Sequence, residues 1–202
     1  MVQLYTMHIM ELRQAEINAL SSDRRRKAAR YLFERDQKLC LAAGVLLDRG
    51  LQAYGLREHG VNIVSNQNGK PCLADHPTIH FSLSHSGCMA AAAFCDHEVG
   101  CDIEPLRSVD WELVDLCFHP YEQKALRASQ NPDRDFTRLW VCKESFLKAL
   151  GIGLNDSLAE VAVRLTGQTA ELVQTLSPRR WKLTEYRVHG YYAAICEEEG
   201  SL

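Results

Sequence analysis

The sequence lacks the short motifs that mark several large classes of enzyme. It has no CxxC pair, no HExxH and no Gly-x-Ser-x-Gly, which argues against a cysteine-held zinc site, a zinc protease and a hydrolase nucleophile elbow. No apolar run approaches the ~20 residues of a membrane-spanning helix. The net charge of −3 gives no overall attraction to nucleic acid or to an anionic membrane. We therefore expect neither nucleic acid nor a membrane as a partner.

Eight cysteines are present without a pairing pattern, and several lie inside apolar runs. A chain of this size with no basic and apolar leader at its start does not need disulfides to fold. We interpret the cysteines as small thiols in a reducing compartment and expect a cytoplasmic protein. Five fall at apolar positions of predicted helices or strands and are expected to be buried: Cys40, Cys95, Cys101, Cys142 and Cys196.

The first half of the chain predicts a strand, a helix and then further strands. The 202 residues, 46% hydrophobic and 24% charged, are enough for one large domain or two small lobes. Residues 4–9 predict a strand, and Ser21 to Asp23 supply helix caps for a long helix that ends near Gly50. Residues 66–71 are dense in turn formers and predict a loop. Residues 79–84, 89–94 and 99–104 then read as three strands.

The second half repeats this order of helix followed by strands. Helices are predicted over residues 111–118, from Pro120 onward, and over 136–150 with Gly151 as the cap. Strands follow over 161–165, 181–188 and 191–196. Residues 89–95 also resemble residues 191–196, although a chance likeness of two short strands is an equal alternative. We therefore predict an α+β fold of two similar lobes.

Asp102 and Glu104 are the sharpest local feature. Residues two apart in a strand point to the same side, so both carboxylates share the face opposite Val99, Cys101 and Ile103. Adjacent carboxylates repel each other unless a cation joins them, and Mg²⁺ with substrate phosphates is a usual solution. The alternative is a solvated strand face that happens to be acidic.

Glu144 and Lys148 lie four apart on the strongest predicted helix. They can form an ordinary surface ion pair. They can also supply a third carboxylate for a metal and, with Lys143, two cations for phosphates. The spacing alone does not decide between these interpretations.

Three further segments could bind anions. Lys70 and Pro71 lie on a predicted turn that is otherwise a hairpin tip, and Ser84 and His85 end a strand as either a polar turn or a phosphate site. Residues 24–30 are basic at a predicted helix start, where cations are locally unfavourable unless an anion binds. Nucleic acid or a solvated turn are the other interpretations of that run.

Four of these segments in order resemble the 4′-phosphopantetheinyl transferase superfamily, in its larger monomeric, surfactin-synthetase-activating form. The resemblance rests on Asn68-Gly69-Lys70-Pro71, residues 81–86, residues 99–104 and residues 140–148, and it extends over nearly the whole chain. It implies two lobes related by pseudo-twofold symmetry, each a small, mainly antiparallel sheet packed with helices. We place the lobes at residues 1–98 and 99–202.

The resemblance also implies a reaction and a set of site residues. Phosphopantetheine would pass from coenzyme A to a serine hydroxyl of an acyl or peptidyl carrier protein, with Mg²⁺ bound and adenosine 3′,5′-bisphosphate released. Asp102, Glu104 and Glu144 match the metal ligands, and Glu144, Lys148 and Glu122 match catalytic positions in the cleft. The matches to coenzyme A-binding positions are Arg24, Lys27, Lys70, Pro71, Ser84, His85, Lys143 and Lys148.

Glu144, or a water that it orients, is our candidate base for the serine hydroxyl. Two other classes stay open: a Mg²⁺-dependent hydrolase of coenzyme A, and a catalytically silent module that binds carriers. A binding module has no reason to keep a repelling acidic pair. For carrier contact, the apolar residues between Trp111 and Tyr121 are a candidate patch that could equally belong to the core.

Overall fold

The structure, a computed structural model, describes residues 1–152, 156–174 and 176–200. These residues form ten strands and six α-helices in the order β1 (Gln3–His8), α1 (Gln14–Ala19), α2 (Ser22–Ala29), α3 (Glu34–Gln52), β2 (Ile63–Ser65), β3 (Pro71–Leu73), β4 (His80–Ser86), β5 (Met89–Cys95), β6 (Val99–Glu104), α4 (Trp111–Cys117), α5 (Pro120–Arg127), α6 (Pro132–Leu150), β7 (Val161–Thr166), β8 (Thr169–Gln174), β9 (Trp181–Val188) and β10 (Tyr191–Glu198). Within the described ranges, no helix is both long enough and apolar enough to span a membrane.

The first sheet has the order β1-β5-β4 and is antiparallel throughout. Its central strand β5 is buried along its whole length. Ala90, Ala92 and Phe94 pack with the apolar residues of α3, whereas Ala91 and Ala93 face the second sheet. The small side chains of this strand let a layer pack closely on each face, so an alanine-rich segment forms a strand here.

The second sheet repeats the first, with the order β6-β10-β9 and β10 in the centre. Ala194 and Cys196 face the apolar residues of α6, and Ala193 and Ile195 face the first sheet. Both lobes share one order of main elements: an edge strand, a 19-residue helix, a small hairpin and a second hairpin whose last strand is the centre of the sheet. These elements are β1, α3, β2-β3 and β4-β5 in the first lobe, and β6, α6, β7-β8 and β9-β10 in the second. The predicted α+β fold of two similar lobes is confirmed. The boundary between residues 98 and 99 stays a prediction.

The five cysteines predicted to be buried are buried, and all eight are free thiols. Burial raises the pKa of Cys101 to about 11 and raises the pKa of Cys95 and Cys142 as well. Such thiols are poor nucleophiles. Cys72, in contrast, is exposed.

The structure differs from the predicted long helix in the first lobe. Two helices, α2 and α3, replace it, and the chain bends at residues 30–33, where Phe33 has an extended backbone. Ser21 caps α2 as predicted, by accepting a hydrogen bond from the Arg24 N–H. A single straight helix could not pack against itself, whereas the bend lets α2 lie beside α3. Sequence periodicity also missed α1, the short strands β2 and β3, and β8.

Candidate active site

The site is built where α6 lies directly on β6. Gly100, Asp102 and Glu104 alternate along one face of β6, and a Cβ atom at Gly100 would lie 2.0 Å from the carbonyl oxygen of Ser145. Only glycine permits this approach of the helix backbone to the strand. The approach brings Glu144 and Lys148, one turn apart on α6, against Asp102.

Lys148 joins the carboxylates of this group. Its Nζ lies 2.6 Å from Asp102 Oδ1 and 3.5 Å from Glu144 Oε2, and it donates a 3.0 Å hydrogen bond to Ser84 Oγ. The Lys148 side chain is 29% exposed, whereas those of Asp102 and Glu144 are 3% and 9% exposed. The Lys148 side chain is thus partly exposed, whereas the two carboxylates that its ammonium contacts are nearly buried.

Serine hydroxyls from β4 connect the first lobe to β6. Ser84 Oγ donates to Asp102 Oδ1 at 2.7 Å, and Ser86 Oγ donates to Glu104 Oε2. Ser82 Oγ accepts from the N–H of Cys101 at 3.0 Å. The serines that the sequence singled out thus bind the acidic strand of the other lobe, and Ser84 lies within the acidic group.

The group has an excess of negative charge, and this appears in its pKa values. Burial, and then the charges of Asp102 and Glu104, raise the pKa of Glu144 to about 7 despite the opposing effect of Lys148. Burial and Asp102 also raise the pKa of Glu104. Although desolvation disfavours the ammonium, Asp102 and Glu144 raise the pKa of Lys148. A glutamate with a pKa near 7 can exchange a proton at neutral pH.

The residues present fit a hard divalent cation in chemistry. They supply carboxylate oxygens, and Asp102 Oδ2 is buried without a hydrogen-bond partner among the described residues. A cation would satisfy that oxygen and offset the charge that shifts the glutamate pKa values. In the part of the chain that is described, no three His, Cys, Asp or Glu side chains already converge as a metal site. Lys148 instead occupies the centre of the group.

Two cavities continue from this group along the first lobe. The smaller cavity, of about 260 Å³, is lined by Lys70, Ser82, Glu144 and Lys148, among others. Three residues line both this cavity and the larger one beside it: Gly69, Pro71 and Leu83. The larger cavity has a volume of about 910 Å³, and its lining has an excess of positive charge, with Arg24, Arg25 and Lys27 against Asp23 and Glu58. The cleft is therefore acidic at one end and basic at the other.

His85 and Lys70 have different surroundings, and of the two only Lys70 lines either of these cavities. His85 is exposed on β4, and partial desolvation, together with the charges of Lys148 and Lys27, lowers the pKa of its ring. Lys70 Nζ is engaged by Glu98 Oε2 at 2.6 Å and by the carbonyl oxygen of Ala149 at 2.7 Å. Its ammonium therefore binds the end of α6 in this structure, a contact that no sequence signal indicated.

Two predicted site residues are not brought to the acidic group. The Lys143 and Glu122 side chains are both 0% exposed and form an internal ion pair, with 2.6 Å between Nζ and Oε2. Lys143 also donates to the carbonyl oxygen of Val161, and Glu122 Oε1 accepts from the Val163 N–H at 2.7 Å. Neither side chain has surface for a phosphate or a serine. Their placement thus differs from the roles at coenzyme A and in catalysis that the resemblance implied.

The fold and the cleft together define a class of protein. Carboxylates that can take a hard cation, a lysine beside them and a basic cavity suit an enzyme that acts on a phosphate-bearing substrate. Two family profiles match the chain: "4′-phosphopantetheinyl transferase, N-terminal" over residues 10–96 and "4′-phosphopantetheinyl transferase superfamily" over residues 98–196.

Relatives named as 4′-phosphopantetheinyl transferases align with most of the chain. The chain is 33% identical to 4′-phosphopantetheinyl transferase Sfp of Bacillus subtilis over 183 residues, 88% of this chain and 81% of that protein. It is 33% identical to 4′-phosphopantetheinyl transferase HetI of a Nostoc species, over 82% of this chain and 73% of that protein. A holo-[acyl-carrier-protein] synthase structure from Thermotoga maritima aligns with a TM-score of 0.45 at 18% identity, covering 52% of this chain and 64% of that one.

The chain belongs to the 4′-phosphopantetheinyl transferase superfamily. It is an enzyme of the 4′-phosphopantetheinyl transferase type, and the resemblance to the larger, Sfp-like form is confirmed.

Proposed function

We propose that this enzyme transfers phosphopantetheine from coenzyme A to a serine of an acyl or peptidyl carrier protein in a Mg²⁺-dependent reaction. The serine oxygen attacks the phosphorus that carries the pantetheine arm. The bond from that phosphorus to the bridging oxygen breaks, and adenosine 3′,5′-bisphosphate leaves. The observation that carries the proposal is the cluster of Asp102, Glu144 and Lys148 at the acidic end of a cleft whose other end is basic.

In this proposal the acidic end holds the reacting groups. Asp102, Glu104 and Glu144 would hold Mg²⁺, which when bound offsets charge on the pyrophosphate oxygens. Lys148, whose side chain lines the cleft, would stabilise negative charge on the same oxygens. Glu144, or a water that it orients, accepts the serine proton.

The basic end would bind the adenosine half of coenzyme A. Arg24 and Lys27 line the larger cavity and would contact the 3′-phosphate, while Pro71, which lines both cavities, would lie beside the nucleotide. His85 and Ser84 would contact the pyrophosphate from β4. Lys70 would join them only by leaving Glu98. Lys143 and Glu122 are not carried into the proposed site, because both are internal.

For the carrier, we propose contact with the exposed apolar side chains of α4 and of the start of α5. Trp111 is 41%, Leu116 78% and Tyr121 47% exposed, whereas Val114 and Phe118 belong to the core. Leu116→Asp should lower kcat/KM for the carrier and leave coenzyme A binding unchanged. Val114→Asp should instead disrupt folding.

We also propose a cytoplasmic monomer. Eight free thiols suit a reducing compartment, and one chain supplies both lobes around the cleft. The experiment that tests the function is incubation with coenzyme A, Mg²⁺ and a panel of carriers, with each carrier weighed intact. Addition of the arm to a carrier supports the proposal. Cleavage of coenzyme A with every carrier unchanged would indicate a hydrolase, and no reaction would indicate a binding module.

A further inference from the structure

The Arg24 side chain is held from two sides before any ligand binds. It is only 12% exposed, and its Nε lies 3.4 Å from Glu58 Oε1. On the other side it lies over Gly44 of α3, where a Cβ atom would be 3.0 Å from Arg24 Cγ and 3.1 Å from Cδ. Gly44 therefore leaves the space that this side-chain conformation requires.

Glu58 is itself a buried and anchored carboxylate. It is 2% exposed and accepts hydrogen bonds from the Ser21 N–H at 2.7 Å and the Ser21 hydroxyl at 3.1 Å. Its own N–H donates to Asp48 Oδ1 of α3 at 2.9 Å, and Asp48 is further fixed by Arg57. Glu58 thus ties the start of α2, including Arg24, to α3.

These contacts determine what Arg24 can still do. The hydrogen bond to Glu58 uses Nε, and the two Nη groups make no hydrogen bond to any part of the chain that the structure describes. Arg24 lines the cavity of about 910 Å³ together with Lys27. An arginine with one edge fixed and its terminal nitrogens available is arranged for bidentate contact with a phosphate.

We propose that Glu58 and Gly44 are positioning residues that hold Arg24 for the 3′-phosphate of coenzyme A and set the preference for coenzyme A over its 3′-dephospho form. This inference rests on the proposed function in placing that phosphate at Arg24. Neither residue touches the substrate. Both act through the arginine, by reducing the conformational freedom that it loses when the phosphate binds.

The test is direct binding, measured by calorimetry, of coenzyme A and of 3′-dephospho-coenzyme A to the whole protein. In the wild type we expect the 3′-phosphate to improve binding. Glu58→Gln should weaken coenzyme A binding about tenfold, the effect of one charged hydrogen bond, and change binding of the dephospho form less than about twofold. Gly44→Ala should act in the same direction, because the added methyl group displaces Arg24.

Two variants separate positioning from a merely structural role. Alanine favours a helix more than glycine does, so Gly44→Ala keeps the test valid if Glu58→Gln does not fold. Arg24→Ala should remove the preference for the 3′-phosphate, and Glu58→Gln should add nothing in that background. Glu185→Gln, which removes a partly buried carboxylate that pairs with Arg138 away from the cleft, is the control and should leave both affinities unchanged.

Each outcome decides the inference. Equal weakening of both ligands by Glu58→Gln and Gly44→Ala would show a structural role only and overturn it. Unchanged coenzyme A binding in these variants, or a wild type that does not distinguish the two ligands, would also overturn it. If the wild type shows the expected preference and the variants lose it, yet no carrier is modified, the proposed function fails and the positioning role stands.

Discussion

The two lobes share one topology but differ at the contact between the long helix and the first strand. In each sheet a two-residue turn leads into the central strand. Ala92 and Ala194 are each the fourth residue of that strand, and they pair with Tyr5 and Asp102, so Tyr5 corresponds to Asp102. By the same register, Met7 corresponds to Glu104. Counted from the first residue of each helix, Leu46 of α3 corresponds to Glu144 of α6.

The same strand and helix positions serve as apolar core in the first lobe and as the acidic group in the second. In the first lobe these positions are apolar: Met7 and Leu46 are buried, and Tyr5 packs edge-on against Phe94. In the second lobe the same positions hold carboxylates, and Gly100 allows α6 to close on them. The first lobe instead contributes the basic residues Arg24 and Lys27 from α2. The cleft thus gains opposite charges from opposite lobes.

Removal of Lys148 should have the largest effect on the rate. Lys148→Met should reduce kcat at least ~100-fold, because it removes a charge aimed at the pyrophosphate. Lys38 of α3 also pairs with a glutamate four residues away, Glu34, but on the surface. Lys38→Met should therefore leave kcat unchanged. Steady-state transfer rates test both variants. A near-normal kcat in Lys148→Met would show that the ion pair of Lys148 with Glu144 has only a structural role.

Gly100→Ala should disturb both folding and rate. A methyl group 2.0 Å from the Ser145 carbonyl oxygen must push α6 from β6, at a cost of about 1–3 kcal/mol in the free energy of unfolding. Transfer should fall with it, since Glu144 and Lys148 move from Asp102. Gly60→Ala, with no atom within 4 Å of the added Cβ, is the control. Urea unfolding and transfer assays measure the two effects. If the free energy of unfolding and the transfer rate of Gly100→Ala both equal those of the wild type, the close contact between α6 and β6 is contradicted.

Mg²⁺ should stabilise the protein without coenzyme A, through the second lobe alone. The buried Asp102 Oδ2 has no hydrogen-bond partner in the described part of the chain, so binding should raise the melting temperature by about 2–4 °C, the shift that ~1 kcal/mol produces in a chain of this size. Melting curves with Mg²⁺ and with a chelator measure it. Asp102→Asn should show no shift, and an equal shift in this variant would place the ion elsewhere.

The ion pair of Glu98 with Lys70, within the first lobe, should make a smaller, pH-dependent contribution to the free energy of unfolding. The hydrogen bond from His80, opposed by burial and supported by Lys70, lowers the pKa of Glu98 to about 2 from its ordinary 4.5. A lowered carboxyl pKa stabilises the fold above the unfolded value, and the stabilisation is lost as the pH falls from about 4.5 to about 2. Glu98→Gln should flatten this part of the stability curve. An identical acid profile in the variant would contradict the contact.

Sequence patterns predicted the main helices and strands better than the bends and small hairpins that connect them. Period-two and period-3.6 patterns predicted the strands of both large sheets and the core of α6, and the caps Ser21 and Gly151 were correct. The bend before α3 could not be predicted, because it depends on α2 packing beside α3. The strands β2, β3 and β8 are short or lie in small hairpins, where periodicity is weak.

The partners of the site residues were harder to predict. Every residue from Phe136 to Leu147 of α6 is buried, so the sequence pattern of this helix does not show which side faces the cleft. Lys143 and Glu144 are neighbours in sequence, yet they point about 100° apart on a helix. One is therefore in an internal ion pair and the other is in the acidic group. Likewise, no local signal marked Glu58 or Glu98, whose partners come from distant segments.

The most direct test of the account is the intact mass of a carrier after incubation with coenzyme A, Mg²⁺ and either Asp102→Asn or Tyr5→Phe. The two changes affect corresponding strand positions of the two lobes. We expect Tyr5→Phe to add the phosphopantetheine arm at nearly the wild-type rate. Asp102→Asn, folded by circular dichroism, should be slower by at least ~100-fold. Near-normal transfer by Asp102→Asn, or equal losses in the two variants, would contradict the assignment of the chemistry to the acidic strand of the second lobe.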